Sequence, residues 1–356
     1  MTRIAAVHGV LAPYRHTQSE ITDMVAHTCL PAGADRRVLD RVHAGTRVRS
    51  RHMALPLDDY VKIDGFGAAN DVFVEVAGDL GAEAVRGALR TAGLRPEDVD
   101  LLLFTSVTGI AAPSVDARLV GRLGLRPDVK RLPSFGLGCV AGAAGVARLH
   151  DYLRGWPEQV AVLLSVELCS LTFQRDDAST ANLVATGLFG DGAAAVVAVG
   201  EHFPGTAALP VAGPSVVATR SRMYPDTGHV LGWSVTGSGF RIVLDPAVPD
   251  IVRRFLADDV RAFLAENGLT PEEITAWVCH PGGPKVLEAV SEVLDLPDGT
   301  LDITWRSLSE VGNLSSSSVL HILRDTVARR PPEPGSPGLM IAMGPGFCCE
   351  LVLLRW

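Results

Sequence analysis

Cys139 is the residue of this 356-residue chain whose surroundings best suit a nucleophile. It follows Gly136 and Gly138, which permit a tight turn, and it precedes a small-residue amphipathic stretch from Val140 to Arg154 that is predicted to be a helix. The macrodipole and the free N–H groups at a helix N-terminus favour a thiolate over a thiol, so we expect a pre-formed nucleophile. Because a lone cysteine is more often a small buried residue, this assignment depends on partners elsewhere in the chain.

Two polar residues far along the chain could complete such a site. His280 follows a short apolar run at the start of a Gly/Pro loop, and Asn313 lies in a Gly-Asn turn before an apolar helix. Thiolate, imidazole and carboxamide together suit acyl transfer, since the sulfur attacks and the other two groups can hold an enolate or oxyanion. Taken singly, His280 could be a strand-end histidine and Asn313 an ordinary turn residue.

The composition is that of an enzyme-sized globular protein. The chain is 47% hydrophobic and 20% charged, which gives enough apolar material for a large core. Its net charge of −8, from 40 acidic and 32 basic residues, argues against a nucleic-acid-binding surface. We find no stretch of about eighteen apolar residues and no signal-peptide pattern, so we expect a cytoplasmic protein without membrane contact. The six cysteines show no zinc-ligand spacing, and neither a metal site nor a disulfide framework is predicted.

Helical and strand patterns alternate along the chain, which predicts a layered α/β architecture. Helices are predicted at 71–92, 114–123, 140–154, 251–267, 283–294 and 314–328, and strands at 100–106, 159–168, 192–199, 274–279, 338–343 and 349–356. The strands are almost continuously apolar, so we expect helices on both faces of the sheet. The segment from Pro204 to Pro214 is the predicted joint between two parts, residues 1–210 and 211–356.

Several separated segments resemble the type III polyketide synthases, the chalcone-synthase-like ketosynthases. They are Leu137-Gly138-Cys139 with its helix, the run Leu188 to Ala195, His280 to Pro284, Gly312 to Ser316, and Gly344 to Phe347 with Glu350 shortly after. Their order and spacing extend from about residue 95 to the end, whereas the first 90 residues match weakly. The resemblance implies a thiolase-like fold of two similar α/β halves in five layers. The active site would lie between the half that carries Cys139 and the half that carries His280 and Asn313.

The resemblance also implies the reaction. A synthase of the bacterial type would load an acyl-CoA starter on Cys139 and extend it by decarboxylative condensation with malonyl-CoA or a substituted malonyl-CoA. It would then cyclise the chain to a pyrone, a resorcinol or a polyhydroxyaromatic product. In the family, the residues that match His280 and Asn313 bind the thioester carbonyl and promote malonyl decarboxylation. No cofactor is implied, because the coenzyme A thioesters are substrates, and the expected protein partner is a second copy in a homodimer.

The substrate cavity is assigned by the same resemblance. The implied substrate-binding positions are Phe189, Phe240, Cys169, Thr172, Leu231 and Ser315. Phe189 and Phe240 match gatekeeping aromatic residues, whereas Leu231 falls where plant members carry a glycine and is expected to shorten the cavity. Ala112-Pro113 falls where plant members place a methionine-proline pair that reaches into the neighbouring subunit.

Arg47, Arg49 and Arg51 form a basic cluster in an otherwise acidic chain. Arginine binds phosphate well, so this cluster is a candidate site for the phosphates of coenzyme A. It could equally be a solvated arginine-rich face.

Other classes of protein use the same three residue types. In the single-condensation ketoacyl synthases of fatty-acid initiation, the histidine is typically followed by Gln-Ala-Asn, whereas Pro281-Gly282-Gly283 follows His280 here. Papain-like hydrolases carry Cys-Gly-Ser-Cys-Trp near the mature N-terminus, a run that is absent from this chain. A catalytically silent relative would have no chemical need for all three residues. The sequence therefore favours the polyketide synthase.

Overall fold

A nine-stranded mixed sheet with helices on both faces dominates the computed structural model, which describes residues 1–31, 33–175, 177–205, 209 and 213–356. The strands are β1 (Thr2–Leu11), β2 (Tyr14–Thr17), β3 (Ser50–Met53), β4 (Leu101–Thr105), β5 (Lys130–Ser134), β6 (Val160–Leu168), β7 (Asp191–Val199), β8 (Ser215–Met223), β9 (Leu231–Thr236), β10 (Gly239–Leu244), β11 (Ala276–Cys279), β12 (Pro337–Gly344) and β13 (Cys348–Arg355). The order in the large sheet is β11-β12-β13-β8-β1-β7-β6-β4-β5. β2 with β3, and β9 with β10, form two separate antiparallel pairs.

Eleven α-helices lie in the described part of the chain. They are α1 (Gln18–Cys29), α2 (Arg37–Gly45), α3 (Leu57–Tyr60), α4 (Gly65–Ala92), α5 (Val115–Leu123), α6 (Ala141–Gly155), α7 (Thr180–Leu188), α8 (Val248–Glu266), α9 (Pro284–Val293), α10 (Asp302–Val311) and α11 (Ser316–Arg329). None of these helices combines the length and the apolarity needed to cross a bilayer.

The first strand joins the two parts of the sheet. β1 pairs antiparallel with β7 along most of its length, and it pairs with β8 only through Thr2 and Arg3. Strands from the first part of the chain therefore lie on one side of β1 and strands from the later part on the other. The predicted division at residue 210 stays a prediction, because residues 206–208 and 210–212 of the joint lie outside the described residues.

Buried side chains form three groups. The central group contains α6 and α11 together with strand residues from both parts of the sheet, such as Leu163, Val278 and Met340. The other two groups lie on the outer faces, one under α4 and the other under α8 and α9. β6 and β7 are buried at every position, which is what their uninterrupted apolar sequences predict for strands covered on both faces.

Small residues allow α6 to approach its neighbours closely. A Cβ added at Gly142 would overlap the carbonyl oxygen of Ser316, the first residue of α11, and one added at Gly145 would lie 2.6 Å from Cδ1 of Leu163. The N-terminal turns of α6 and α11 are therefore pressed together, and a larger residue at Gly142 would separate them.

Most of the predicted elements are present, with shifts of a few residues at their ends. α7 was not predicted, because its sequence contains threonines, a valine and a glycine of modest helix propensity. It is capped by Ser179, whose side chain accepts the N–H of Asn182. The β9–β10 pair includes residues Ser234 to Val243, whose sequence has strand-like character, but the sequence did not predict where the turn in this segment lies.

Candidate active site

An open cavity of about 690 Å³ brings Cys139, His280 and Asn313 together. The three residues come from distant parts of the chain: the turn before α6, the loop after β11 and the turn between α10 and α11. The structure thus joins the predicted residues in one site, while their individual roles stay predictions.

The turn that carries Cys139 is held by the loop between β12 and β13. Gly136 and Gly138 have φ angles of 99° and 62°, a conformation that favours glycine. A Cβ at Gly138 would lie 2.5 Å from Cδ of Pro345, and one at Gly344 would lie 2.8 Å from the backbone nitrogen of Val140. The Gly344-Pro345 loop therefore packs directly against the turn and limits how far Cys139 can move.

The thiol of Cys139 partly faces the cavity, and its sulfur lies 3.5 Å from Oγ of Ser315. Desolvation by the surrounding protein raises the pKa of this thiol to about 12. The hydrogen bond to Ser315 favours the thiolate, but desolvation is the larger effect, so the surroundings of Cys139 do not favour the pre-formed thiolate that we expected.

His280 is held by its backbone, whose N–H donates to the carbonyl oxygen of Ile341 at 2.8 Å. Its ring is buried, and neither Nδ1 nor Nε2 has a hydrogen-bond partner among the described residues. Burial lowers the pKa of the imidazole to about 3. A neutral ring with two unpartnered nitrogens can accept a proton at one atom and donate a hydrogen bond from the other.

Asn313 is fixed at both its side chain and its backbone. Its Oδ1 accepts the N–H of Ser315 at 2.8 Å, which leaves the amide nitrogen as the end able to donate to a ligand. Its backbone forms a parallel bridge with Phe189, in which Asn313 N–H donates to the carbonyl of Leu188 and Gly190 N–H donates to the carbonyl of Asn313, each at 2.9 Å.

Together these groups are suited to acyl transfer without a metal. A neutral imidazole can take the thiol proton as the sulfur attacks a thioester, which avoids a buried unpaired charge in the resting state. The imidazole N–H and the carboxamide N–H can then donate to an oxygen that gains negative charge.

Two of the six substrate-binding residues predicted outside the arginine cluster line the cavity and four do not. Phe189 and Leu231 contribute to its walls. Phe240 is buried instead among aromatic rings, with its centroid 5.1 Å from that of Phe66 and 5.9 Å from that of Phe135. The predicted cavity positions of Phe240, Cys169 and Thr172 are therefore not among the lining residues.

The local structure around Cys169 and Thr172 explains why neither residue lines the cavity. Cys169 and Thr172 belong to a short 3-10 turn in which the Thr172 hydroxyl donates to the Cys169 carbonyl at 2.7 Å, and Cys169 is buried. Ser315 does not line the cavity, but it contacts the sulfur of Cys139.

The arginine cluster does not face the cavity. Arg47 forms an ion pair with Glu288 at 2.7 Å, and Arg49 donates to Oγ of Ser309 at 2.8 Å. Arg51 is completely buried, so it cannot bind a phosphate from solvent. The prediction of a three-arginine phosphate site is wrong for Arg51 because the β3 strand turns this side chain into the interior.

Two other cations line the cavity, the position that was expected for the arginine cluster. Arg41 and Lys285 are exposed, line the cavity and form no ion pair with any described residue. Lys285 also lies in the first turn of α9, where free N–H groups favour an anion. Sequence reasoning missed both, although Lys285 is one of only three lysines and directly follows the His280–Pro284 motif.

The comparisons with known proteins point to one family. Residues 16–202 match the model of the chalcone and stilbene synthase N-terminal domain, and residues 215–356 match that of the C-terminal domain. The chain is 58% identical, over 356 residues, to a 1,3,6,8-tetrahydroxynaphthalene synthase of Streptomyces peucetius subsp. caesius, covering 100% of this chain and 93% of that protein. It is 33% identical to a putative chalcone synthase of Bacillus subtilis (strain 168), covering 87% of this chain and 86% of that protein.

Solved structures agree with this result. The bacterial type III polyketide synthase 1,3,6,8-tetrahydroxynaphthalene synthase from Streptomyces coelicolor A3(2) superimposes with a TM-score of 0.91 at 28% identity, covering 99% of both chains. A polyketide synthase from the brown alga Ectocarpus siliculosus gives a TM-score of 0.91 at 26% identity, covering 99% of this chain and 98% of that one. The thiolase-like α/β fold expected from the resemblance is confirmed.

A first prediction concerns the cations at the cavity. Arg41→Glu and Lys285→Glu should each raise the KM for malonyl-CoA about tenfold, equivalent to about 1.4 kcal/mol, because each replaces a cation at the cavity that could bind phosphate by a negative charge that repels it. Steady-state kinetics over a range of malonyl-CoA concentrations would measure this. Arg49→Glu is the matched control and should leave KM near the wild-type value. An equal rise in all three variants would show a general field effect and no specific site.

A second prediction concerns cavity length. Leu231→Gly should add space that neighbouring side chains fill only partly, and should shift products toward longer chains or bulkier starters. Leu231→Trp should shorten the products. Liquid chromatography with mass spectrometry on a panel of acyl-CoA starters with malonyl-CoA would measure both.

Val235→Gly is the matched control for that experiment, because Val235 lies on the same strand, is 66% exposed and does not line the cavity. Wild-type product profiles from both Leu231 variants at wild-type stability would show that Leu231 does not limit the product.

Proposed function

Because the chain belongs to the chalcone and stilbene synthase family and is a type III polyketide synthase, we propose that it makes 1,3,6,8-tetrahydroxynaphthalene from malonyl-CoA. The observation that carries this proposal is the 58% identity to the Streptomyces peucetius enzyme along the whole chain. Residue identity at this level over every element of the fold favours the same cavity and hence the same product.

The carbon count supports a reaction without a separate starter. Tetrahydroxynaphthalene has ten carbons, which equal five two-carbon units from malonyl-CoA. Five malonyl-CoA give one tetrahydroxynaphthalene, five coenzyme A, five carbon dioxide and one water. The sequence is a series of condensations followed by two ring closures, one that releases the thioester and one that loses water, with no net oxidation, so we propose that it needs no redox cofactor.

Each residue of the site has one proposed task. Cys139 attacks the thioester carbonyl, its proton passes to the neutral imidazole of His280, and coenzyme A leaves with a proton as its thiol. Malonyl-CoA then loses carbon dioxide, and the enolate oxygen that forms accepts hydrogen bonds from His280 and Asn313. The enolate carbon attacks the acyl group on Cys139, which lengthens the chain by two carbons and frees the sulfur.

The cavity is suited to this substrate and intermediate. Its volume of about 690 Å³ falls within the range of about 300–1,000 Å³ that is typical of small-molecule sites. Its walls are mainly apolar, with aliphatic residues such as Val184, Leu231 and Leu244, while Arg41 and Lys285 lie on its lining as candidate phosphate contacts. We place the enzyme in the cytoplasm, where coenzyme A thioesters are made.

We also propose that two copies associate through the β5 edge of the sheet. β5 is the last strand in the order, so one row of its backbone groups is unpaired within the chain. Leu132 on this strand is 47% exposed, and Phe135, just after it, is 52% exposed. Ile110, 45% exposed, follows the parallel neighbour β4 at the same end of the sheet. A second copy that pairs with this edge would cover all three side chains.

A third prediction tests the product and the nucleophile. Wild-type enzyme incubated with malonyl-CoA as the only thioester should give tetrahydroxynaphthalene with five carbon dioxide released per product. Cys139→Ala should give no product and no acyl adduct by intact mass, because no other thiol replaces the sulfur that carries the chain. A wild-type product with a different carbon skeleton would overturn the proposed product.

The assigned donors are tested with the same assay. His280→Ala and Asn313→Ala should lower carbon dioxide release by about 10²–10³-fold, the range for losing one oxyanion-type donor. Unchanged release in both variants would exclude them from the decarboxylation step.

A fourth prediction tests the association. Wild-type protein should have a mass of about twice 37.7 kDa by size-exclusion chromatography with light scattering. Leu132→Glu with Phe135→Glu should shift it toward the monomer, because buried like charges would face each other across the edge. Val38→Glu, which changes an exposed apolar residue on α2, should keep the dimer. A wild-type monomer at micromolar concentration would contradict this proposal.

A further inference from the structure

Arg51 is a buried cation that lies behind the cavity wall. Its side chain is 0% exposed, although it carries a charge, and it does not line the cavity. Burial lowers the pKa of this guanidinium to about 10. No carboxylate of the described residues forms an ion pair with it, and its Nε and Nη2 have no hydrogen-bond partner there.

Such a group is costly for stability. A buried charge without a matched partner usually destabilises a fold, and an apolar residue of similar size would often be better. Asp191, whose charge favours the charged form of this guanidinium, forms no ion pair with it: its carboxylate accepts the N–H groups of Ser170 and Ala54 at 2.8 and 2.7 Å. The contacts that Arg51 does make are therefore the place to look for its role.

The Arg51 side chain forms one hydrogen bond with the described residues, and it is to the backbone of a site residue. Its Nη1 donates to the carbonyl oxygen of Phe189 at 2.7 Å. Phe189 is the residue that forms the parallel bridge with Asn313, through the hydrogen bonds on either side of it. The guanidinium is thus one step from the backbone of Asn313.

The aliphatic part of Arg51 contacts the same segment from another direction. A Cβ added at Gly312, the residue before Asn313, would lie 3.0 Å from both Cγ and Cδ of Arg51. Gly312 has a φ of 75°, a left-handed conformation that a residue with a side chain would adopt only with strain. Arg51 and Gly312 therefore fit against each other with no spare room.

The two residues before Arg51 form hydrogen bonds to α10, the helix that precedes Asn313. The N–H of Arg49 donates to the carbonyl of Ser309 at 2.8 Å, and Oγ of Ser50 donates to the carbonyl of Glu310 at 2.9 Å. Both acceptors lie in the last turn of α10, which leads into Gly312 and Asn313. Residues 49–51 thus contact the chain from Ser309 to Gly312, directly before Asn313.

We propose that Arg51 is a positioning residue that fixes Asn313 for malonyl decarboxylation. Its guanidinium holds the Phe189 end of the bridge while its stem fills the space beside Gly312, so that the carboxamide stays aimed into the cavity. The inference rests on the proposed role of Asn313. It predicts a larger effect on decarboxylation than on acyl loading, because in the proposed mechanism Asn313 acts on the enolate, and no hydrogen bond or ion pair among the described residues joins Arg51 directly to Cys139.

The fifth prediction separates the two partial reactions. Arg51→Met keeps the unbranched stem but removes every donor, and it should lower carbon dioxide release from malonyl-CoA about tenfold to a hundredfold, the range for a misplaced catalytic group. The rate of Cys139 acylation, followed by intact mass, should stay within about threefold of wild type. Arg51→Lys, which can still donate to the Phe189 carbonyl, should recover most of the decarboxylation rate.

Controls distinguish positioning from a general loss of structure. Arg49→Met changes an exposed neighbour in the same segment and should leave both rates near wild type. Arg51→Leu, which also lacks every donor, serves if Arg51→Met does not fold, because Gly312→Ala would clash with the Leu188 carbonyl oxygen at 2.7 Å and would not test Arg51 alone. Thermal unfolding of each variant, with assays well below its Tm, keeps stability out of the comparison.

A double-mutant cycle with Asn313→Ala completes the test. If Arg51 acts through Asn313, adding Arg51→Met to Asn313→Ala should lower decarboxylation by less than about threefold more. Equal losses of loading and decarboxylation, additive losses in the cycle, or a normal rate in Arg51→Met would overturn the proposal. If Asn313→Ala itself decarboxylates normally, the proposed role of Asn313 fails and the role of Arg51 fails with it.

Discussion

The contact between the N-terminal turns of α6 and α11 is the constraint on which the site depends. Cys139 lies just before α6 and Asn313 just before α11. The distance between the two helices where they cross therefore sets the distance between the two residues. Gly142 leaves no room for a side chain against Ser316, and the contact is buried and closely packed. A fold whose two parts met at a larger distance could still form its sheet, but its thiol and carboxamide would no longer share one cavity.

Buried polar groups make that crossing specific. Ser316 donates to Oε1 of Glu167, whose Oε2 accepts the N–H of Val107 and the hydroxyl of Thr108, both at 3.1 Å. Ser165 hydrogen-bonds to the hydroxyls of Ser316 and Ser317 at 2.8 and 2.7 Å. Hydrogen bonds between buried polar groups have strict geometry, so this network allows one register of α11 against β6 where apolar packing alone would allow several.

The sequence predicted the parts of the site that local motifs encode. Cys139, His280 and Asn313 each lie in a short run with glycine or proline, so their loop positions were readable, and long apolar strands such as β6 were readable for the same reason. The sequence did not predict which way individual side chains point. Whether Phe240 or Leu231 faces the cavity depends on how a two-stranded pair packs against distant helices, which no local pattern records. Arg51 looked like a surface residue because β3 is only four residues long, too short for its alternation to show.

The position of β1 has a consequence for how the protein is made. This strand leaves the ribosome before the other strands of the sheet, yet its two neighbours in the sheet are β7, which ends at Val199, and β8, which begins at Ser215. Until those segments have been synthesised, β1 exposes apolar residues and unpaired backbone groups on both edges. Contacts this far apart in sequence form slowly, and the open edges of the waiting strand are a template for wrong pairing. The nascent chain is therefore vulnerable to aggregation in the interval between synthesis of β1 and synthesis of β7 and β8, before His280 and Asn313 have been made and the site can form.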